Sequence, residues 1–443
     1  MSFIRNVSIT FNTKVALFFV GLVTSIIIAR TIGPEGKGLF TLALTAAAVV
    51  VNTTNLGVGM GSGYFLGRRR VPFDLLAGNW LGLSLITGVS ALAISVALAP
   101  FLVPRFLPSV PTWYVIAALL SIPFTFMFLN FQALFKANND FRRFNILAIT
   151  QPASLLLIFV VLIQFFPERK LDVVIVVFLL SHVVVGTLAI CLTAGVTRLR
   201  FRLSRDVAGA ALRFGLQGYL ANFLAFLNLR LDVLLVNFFM APISVGYYAI
   251  SVMVAEKIWY IPDVLSAVLH PRVAHGTEED ANRDTAIVTR QTVLAIVLGC
   301  VGVLLFGRFL IELFYTKRFL PAVTPLFILL PGIFTASLAR VISSDLLARG
   351  YPRVIMWGGV AGVLSNVGLN VVLIPRFGVS GAALATTISY TLNAVVVIAA
   401  FVNITGVSPR VILVPGTADI RLMAKGARQL LTFRKGVRSV FPK

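Results

Sequence analysis

Acidic residues are scarce: 16 Asp and Glu stand against 38 Lys and Arg, and charge of both signs makes up only 12% of the 443 residues. An ordinary soluble domain carries about twice that fraction, so this chain has too little charge to keep a folded surface in water. Cysteine is nearly absent. Cys191 and Cys300 lie in separate apolar runs with no CxxC or Cys/His spacing, which argues against a disulfide framework or a structural metal. No Gly-x4-Gly-Lys-Ser/Thr phosphate loop is written, because Gly36-Lys37-Gly38 has the wrong spacing, so ATP hydrolysis is not expected. Neither a Ser/His/Asp nor a paired-His zinc constellation occurs, and the connectors are too short for a catalytic domain. The expectation is a non-enzyme without a cofactor.

What abounds is hydrocarbon, at 58% hydrophobic residues and a mean hydropathy of +0.95. A spanning helix needs about 20 apolar residues to cross about 30 Å. Hydropathy with Gly, Pro and charge signals gives twelve segments, near 11–30, 39–66, 75–101, 112–135, 145–166, 171–194, 208–240, 243–269, 286–307, 320–342, 354–374 and 379–403. The predicted fold is therefore an all-α integral membrane protein of about 12 transmembrane helices. The run from Phe11 to Ala29 exceeds a signal-peptide core and lacks a small-x-small site before Arg30, so it reads as a retained helix. The N-x-S/T triplets at Asn6, Asn52 and Asn403 read as chance, since Asn52 falls inside a span.

The net charge of +22 invites a nucleic-acid reading, but its placement opposes one. With a cytoplasmic N-terminus, 27 of the 38 basic residues fall inside and nine outside, leaving Arg230 and Lys257 in the membrane. That is the positive-inside pattern, with both termini cytoplasmic, rather than one basic patch.

The two halves echo each other. Gly33-Pro34-Glu35-Gly36-Lys37-Gly38-Leu39-Phe40 matches Ala241-Pro242-Ile243-Ser244-Val245-Gly246-Tyr247-Tyr248 as small-Pro-x-x-x-Gly-x-aromatic, at an offset of 208 residues. Leu134-Phe135-Lys136-Ala137 echoes Leu347-Ala348-Arg349-Gly350 at an offset of 213. Two echoes at nearly one offset suggest a duplication: residues 1–203 as an N-terminal lobe, 204–403 as a C-terminal lobe and 404–443 as a cytoplasmic basic amphipathic tail. Six helices per lobe keep the repeats parallel. In the tail, Arg421, Lys425, Arg428 and Lys435 share one face and Ile420, Met423, Ala427, Leu430 and Leu431 another, which fits an interfacial helix or, failing that, a disordered basic tail. Gly57, Gly59, Gly61 and Gly63 in the second segment and Gly358 and Gly362 in the eleventh have GxxxG spacings, expected to pack helices closely.

The seventh and eighth segments carry charge where hydrocarbon tolerates little. Counting inward from Ala241, Arg230 lies about 16 Å deep, with Glu256 and Lys257 at similar depth on the returning helix. Unpaired, each costs about 2.5–3.5 kcal/mol, so each must face a partner or water. Closed ion pairs, Arg230 with Glu256 and Asp232 with Lys257, are one account. A polar vestibule in which Arg230 and Lys257 attract an anion is the other. Arg213, Asn228 and Asp232 run down one stripe of the seventh segment, and Asn366 and Asn370 share a face of the eleventh. A membrane Asn more often bridges helices than lines a cavity, and His182 more often packs than relays protons.

The stretch Asn366-Val367-Gly368-Leu369-Asn370-Val371-Val372-Leu373-Ile374-Pro375-Arg376-Phe377-Gly378-Val379-Ser380-Gly381-Ala382-Ala383-Leu384-Ala385-Thr386-Thr387 resembles the helix 11 to 12 signature of polysaccharide flippases in the multidrug/oligosaccharidyl-lipid/polysaccharide exporter superfamily. Asp232 through Tyr248, the run toward Pro262 and Pro271, and Ala29-Arg30-Thr31-Ile32-Gly33-Pro34 are similar to its other recurring stretches. The resemblance implies a V-shaped, two-lobed alternating-access transporter with a central cationic cavity. It implies export of a polyprenyl-pyrophosphate-linked oligosaccharide from the inner-membrane cytoplasmic leaflet, for surface or extracellular polysaccharide biosynthesis. Its implied partners are that lipid-linked oligosaccharide, membrane lipids and polysaccharide polymerase or export machinery. The substrate-binding set is then Arg213, Asn228, Arg230, Asp232, Glu256, Lys257, Asn366 and Asn370. A multidrug/cation antiporter would want a carboxylate inside the first lobe, yet every acid before Asp206 falls in or beside a loop. A membrane-embedded glycan polymerase or ligase is disfavoured by the short outer loops.

Overall fold

The computed structural model describes residues 2–67 and 71–425, and every regular element among them is helical. In chain order these are α1 (Ser2–Thr54), α2 (Ser62–Gly67), α3 (Phe73–Phe106), α4 (Thr112–Leu119), α5 (Ile122–Ala137), α6 (Phe141–Phe165), α7 (Lys170–Ala194) and α8 (Arg205–Phe239). There follow α9 (Pro242–Glu256), α10 (Tyr260–His275), α11 (Glu278–Tyr315), α12 (Val323–Ala348), α13 (Pro352–Phe377), α14 (Val379–Thr405) and α15 (Pro409–Leu413).

Among the described residues, ten stretches are long and apolar enough to cross a membrane. The first of them holds two crossings. Gly33 breaks α1 with φ 70° and ψ −177°, and Pro34 follows it without an amide hydrogen to donate back. A further crossing, α9 with α10, is split by a 3-10 turn at Lys257–Trp259, which leaves neither piece long enough alone. The expected twelve spans are thereby accounted for, in a multi-pass membrane protein. Apolar side chains such as Phe101, Phe165 and Leu305 point outward, as a lipid solvent allows.

The second segment departs from expectation. Instead of one helix through residue 66, α1 stops at Thr54, Leu56 and Gly57 turn left-handed, and a 3-10 turn at Val58–Gly61 leads into α2. The Gly57–Gly63 run is thus not a helix-packing stripe. Its glycines serve a turn: a Cβ on Gly57 would stand 2.7 Å from the Gly215 carbonyl oxygen, and one on Gly215 would stand 2.7 Å from that of Gly57. Gly358 does pack a helix closely, since a Cβ there would meet Asn393 Oδ1 at 2.6 Å.

The chain divides into two compact units, Met1–Ala249 with Glu312–Phe319, and Ile250–Ile311 with Leu320–Lys443. The first is cored by Phe65, Trp80, Phe131, Leu134, Phe135 and Leu147. Two side-chain hydrogen bonds cross this core: Trp80 donates to Ser62 Oγ and Asn130 to Ser84 Oγ, both at 2.8 Å. The second has a core of Ala286, Ile342, Leu346, Val397, Phe401 and Ile412. Beside it the buried Asp345 accepts from Thr285 at 2.6 Å and from Arg349 at 2.7 Å, tying α11 to α12.

Ile412 belongs to α15, so the start of the tail is docked rather than free. Residues 417–425 are helical, and Asp419 accepts from Arg290 of α11 at 2.8 Å and from the Gly416 amide at 2.8 Å. Of the tail faces read from sequence, Arg421 and Lys425 are exposed as is Ile420, while Ala427, Arg428, Leu430, Leu431 and Lys435 lie outside the described residues, as do Arg68, Arg69 and Arg70. Burial alone would push the Asp419 carboxyl up, but the Gly416 amide and the Arg290 guanidinium hold it below its ordinary value. Its contribution is complete above the unfolded-chain value of about 3.9 and is lost as pH falls through the lower folded value. Asp419→Asn is expected to weaken the docking of residues 406–425 by about 1.5–3 kcal/mol at neutral pH. Hydrogen exchange there should speed tenfold or more, and wild type should approach the variant below about pH 4.

Candidate functional site

In the first unit α8 presents four of the residues singled out from sequence. Asp232 is buried and is held by its surroundings: the Tyr248 hydroxyl of α9 donates to Oδ2, and the Val233 amide donates to Oδ1 at 2.8 Å. That carboxylate therefore fixes α8 to the first turns of α9. Arg230, two residues earlier and half-buried, donates to the Leu229 carbonyl at 3.4 Å. Arg213 is exposed, and Asn228 is buried with no partner for its Oδ1 among the described residues. An orphaned buried acceptor costs about 1–3 kcal/mol, which marks Asn228 as a place where water or ligand has a hydrogen bond to give.

The two echoing connectors meet within this unit. A Cβ on Gly38 would stand 1.8 Å from the Pro242 carbonyl oxygen, and one on Gly246 would stand 1.9 Å from that of Pro34. Pro34 and Gly38 correspond to Pro242 and Gly246 by the repeat offset, so each connector offers its glycine to the other's proline carbonyl. This reciprocity is what a local two-fold relation between the two connectors produces. Beside it Arg30 donates to the Leu313 and Phe314 carbonyls, the latter at 2.8 Å, capping the otherwise unsatisfied end of α11.

A cavity of about 480 Å³ opens in the same unit between the Asn55–Gly63 turn and α5, lined by Asn55, Asn130 and Lys136 among others. The Asn55 and Asn130 Oδ1 atoms accept no hydrogen bond among the described residues. Here several polar groups converge on open space. His182, in contrast, packs on Phe178 with ring centroids 4.3 Å apart, its Nδ1 2.9 Å from the Phe178 carbonyl.

In the second unit the charges gather at the break between α9 and α10. Glu256 and Lys257 are half-buried, and the Lys257 ammonium lies 5.5 Å over the Tyr260 ring. One turn on, the Trp259 indole is buried and carries the Arg340 guanidinium 4.1 Å above its face. Arg340 also donates to Asp263 Oδ1 at 3.0 Å, with side chains 34% and 50% exposed. Arg340 lies about 12 Å back from the α12 end at Ala348, and Asp263 about 18 Å from the α10 end at His275. The third of the Arg340 side chain left exposed beyond its Asp263 and Trp259 contacts can donate further hydrogen bonds to water or an anionic ligand.

Sequence reading missed Arg340, Asp263 and Trp259. Arg340 falls at the end of the apolar segment 320–342, where a basic residue reads as flanking loop, whereas α12 continues to Ala348. Asp263, inside the segment 243–269, was the available signal. Asn366 and Asn370 are buried within the second unit; Asn370 donates to Asn366 Oδ1 at 2.9 Å and Asn366 donates to Thr386 of α14 at 3.4 Å.

The profile of a family described as Polysaccharide biosynthesis protein matches residues 9–324. The probable flippase AglR of Haloferax volcanii is 27% identical over 208 residues, 44% of this chain and 43% of that protein. The probable low-salt glycan biosynthesis flippase Agl15 of the same organism is 25% identical over 169 residues, 37% of this chain and 36% of its own. The chain thus spans less than half the length of the curated relatives it matches. Among solved structures, the lipid II flippase MurJ in an inward closed conformation superimposes with a TM-score of 0.76 at 15% identity, covering 90% of this chain and 87% of that one. An inward-facing multidrug resistance MATE family transporter gives 0.73 at 14%, covering 88% and 94%. At such identities these likenesses establish the fold.

Proposed function

The chain belongs to the polysaccharide biosynthesis protein family, and on that premise we propose that it is a transporter moving a polyprenyl-pyrophosphate-linked oligosaccharide across the cytoplasmic membrane. The product would feed surface or extracellular polysaccharide synthesis, in company with a polymerase or export machinery. Two relatives named as probable flippases support this reading. The single observation that carries it is that Arg230, Lys257 and Arg340, cations inside spanning helices, are all only half-buried. Half-buried cations at that depth require a wet path, and a pyrophosphate with sugars requires a positive one, while the lipid tail stays in hydrocarbon.

In this reading residues 1–203 and 204–403 are the two lobes that alternate access, both termini are cytoplasmic, and the 27 to nine charge bias supports that orientation. Asn228, Arg213 and the Asn55–Asn130–Lys136 cavity offer hydrogen bonds to sugar hydroxyls. Glu256 and Asp232 position their cationic neighbours, and Asn366 and Asn370 flank the path.

Arg230→Ala and Lys257→Ala, expressed in cells lacking their own flippase, are expected to lower surface polysaccharide at least about tenfold at unchanged protein level. Full export by both variants would sink the cationic path. Loss of the folded protein would assign these residues to structural ion pairs instead.

A further inference from the structure

The connector from α7 to α8 carries a feature that transport itself does not use. Residues 198–204 run without helix, and their sequence alternates Arg198, Arg200 and Arg202 with Leu199, Phe201 and Leu203. In an extended chain, residues two apart project to one side. The three arginines do so here, lining one cavity of about 210 Å³ together with Asp74 from the first turn of α3. That volume holds roughly seven waters, ample for a phosphate group.

The connector is fixed in place. The Arg202 amide donates to the Gly78 carbonyl at 3.4 Å, and the Ser204 amide donates to Oδ1 of the fully buried Asn79 at 2.8 Å. Asn79 is itself held through Nδ2 to the Leu75 carbonyl at 2.8 Å. A Cβ on Gly78 would stand 2.6 Å from the Arg200 carbonyl oxygen, and one on Gly82 would stand 3.1 Å from that of Arg202. The two glycines of α3 therefore let the connector approach closely and set the register in which the arginines converge.

Chemistry and placement both favour an anion at a membrane surface. Three guanidiniums face one carboxylate, and among the described residues no ion pair joins any of the three to an acid. At the alternate positions of the connector Leu199 packs on the first unit's core, while Phe201 and Leu203 lie beside Gly82 of α3 yet remain 57% and 44% exposed. Exposed Phe and Leu alternating with Arg belong where acyl chains meet headgroups. Guanidinium forks fit phosphate oxygens pairwise.

We infer that this cavity binds the phosphate of an anionic membrane lipid, anchoring the α7–α8 connector to the cytoplasmic leaflet. The cavity shares no lining residue with the Asn55–Asn130–Lys136 cavity, and the inference does not depend on what the cargo is.

Trypsin cuts after arginine, so the unmodified protein reports on its own site. In nanodiscs of phosphatidylcholine, adding phosphatidylglycerol is expected to slow cleavage at Arg198, Arg200 and Arg202 at least about tenfold, with cleavage at exposed Arg353 unchanged. Arg200→Gln should remove most of that protection at Arg198 and Arg202, whereas Arg142→Gln with Arg353→Gln should leave it intact. Equal loss from the control pair would show diffuse charge attraction and overturn the site. Equal protection by inorganic phosphate in pure phosphatidylcholine would reassign it to a free anion. No protection by the lipid at all would also overturn it, whatever the transport activity.

Discussion

Gly38→Val and Gly246→Val are each expected to abolish transport while leaving the protein in the membrane. The space for a side chain is absent at both positions, since a Cβ would fall 1.8 Å from one carbonyl oxygen and 1.9 Å from the other. The obstruction is backbone, which cannot rotate aside as a flexible side chain can. Valine must therefore drive the two connectors apart, at a cost above about 3 kcal/mol, which empties the closed arrangement more than about 100-fold. Alanine should do the same, less severely. If this reciprocal contact is the closed form of a gate, the variants remain folded but cannot complete the cycle. Val245, fully buried in the contact, gives the readout. In a background lacking Cys191 and Cys300, Val245→Cys should resist a membrane-impermeant maleimide and react at least about tenfold faster once Gly38→Val is added. Unchanged transport with unchanged labelling would show that the connectors never need to meet.

Arg340→Gln is expected to lower transport at least about 100-fold, through loss of two charge-assisted hydrogen bonds of about 1.5–3 kcal/mol each to a passing pyrophosphate. Trp259 fixes the guanidinium plane, and Asp263 takes one edge of it at 3.0 Å, so the fork is held ready rather than left to swing. Arg340→Lys keeps the charge and loses both fork and stacking, and should fall between. Asp263→Asn separates the two roles an ion pair can play. A purely structural bridge would make this variant as unstable as Arg340→Gln. A carboxylate that only occupies the fork between cargoes would leave binding of a polyprenyl pyrophosphate equal to wild type or tighter. Titrating such a lipid against the three purified variants decides between the two.

Much of the architecture was legible because its causes are local. The Gly33-Pro34 break, the twelve apolar runs and the paired connectors each rest on glycine, proline or hydropathy, which act within a few residues. That the matched connectors meet, glycine against the other's proline carbonyl, is visible only in the fold. What escaped depended on neighbours distant in the chain. Arg340 looks like a loop cation until Trp259 and Asp263, some 80 residues earlier, are placed beneath it. The Gly57–Gly63 run has helical spacing, and only the backbone of Gly215 explains why it turns instead. Asp419 was passed over among basic neighbours, yet it is the acid that docks the tail to Arg290.

The central claim is that a lipid-linked oligosaccharide crosses the membrane along a cationic path through this protein. Purified protein in proteoliposomes, loaded with a polyprenyl-pyrophosphate oligosaccharide in one leaflet and probed by a glycan-cleaving enzyme added to the other, tests it most directly. The account predicts that wild type renders the glycan cleavable well above empty vesicles and that Arg340→Gln returns it to that background. A glycan that stays protected with wild-type protein, in vesicles where the same protein moves a cationic drug, would contradict it.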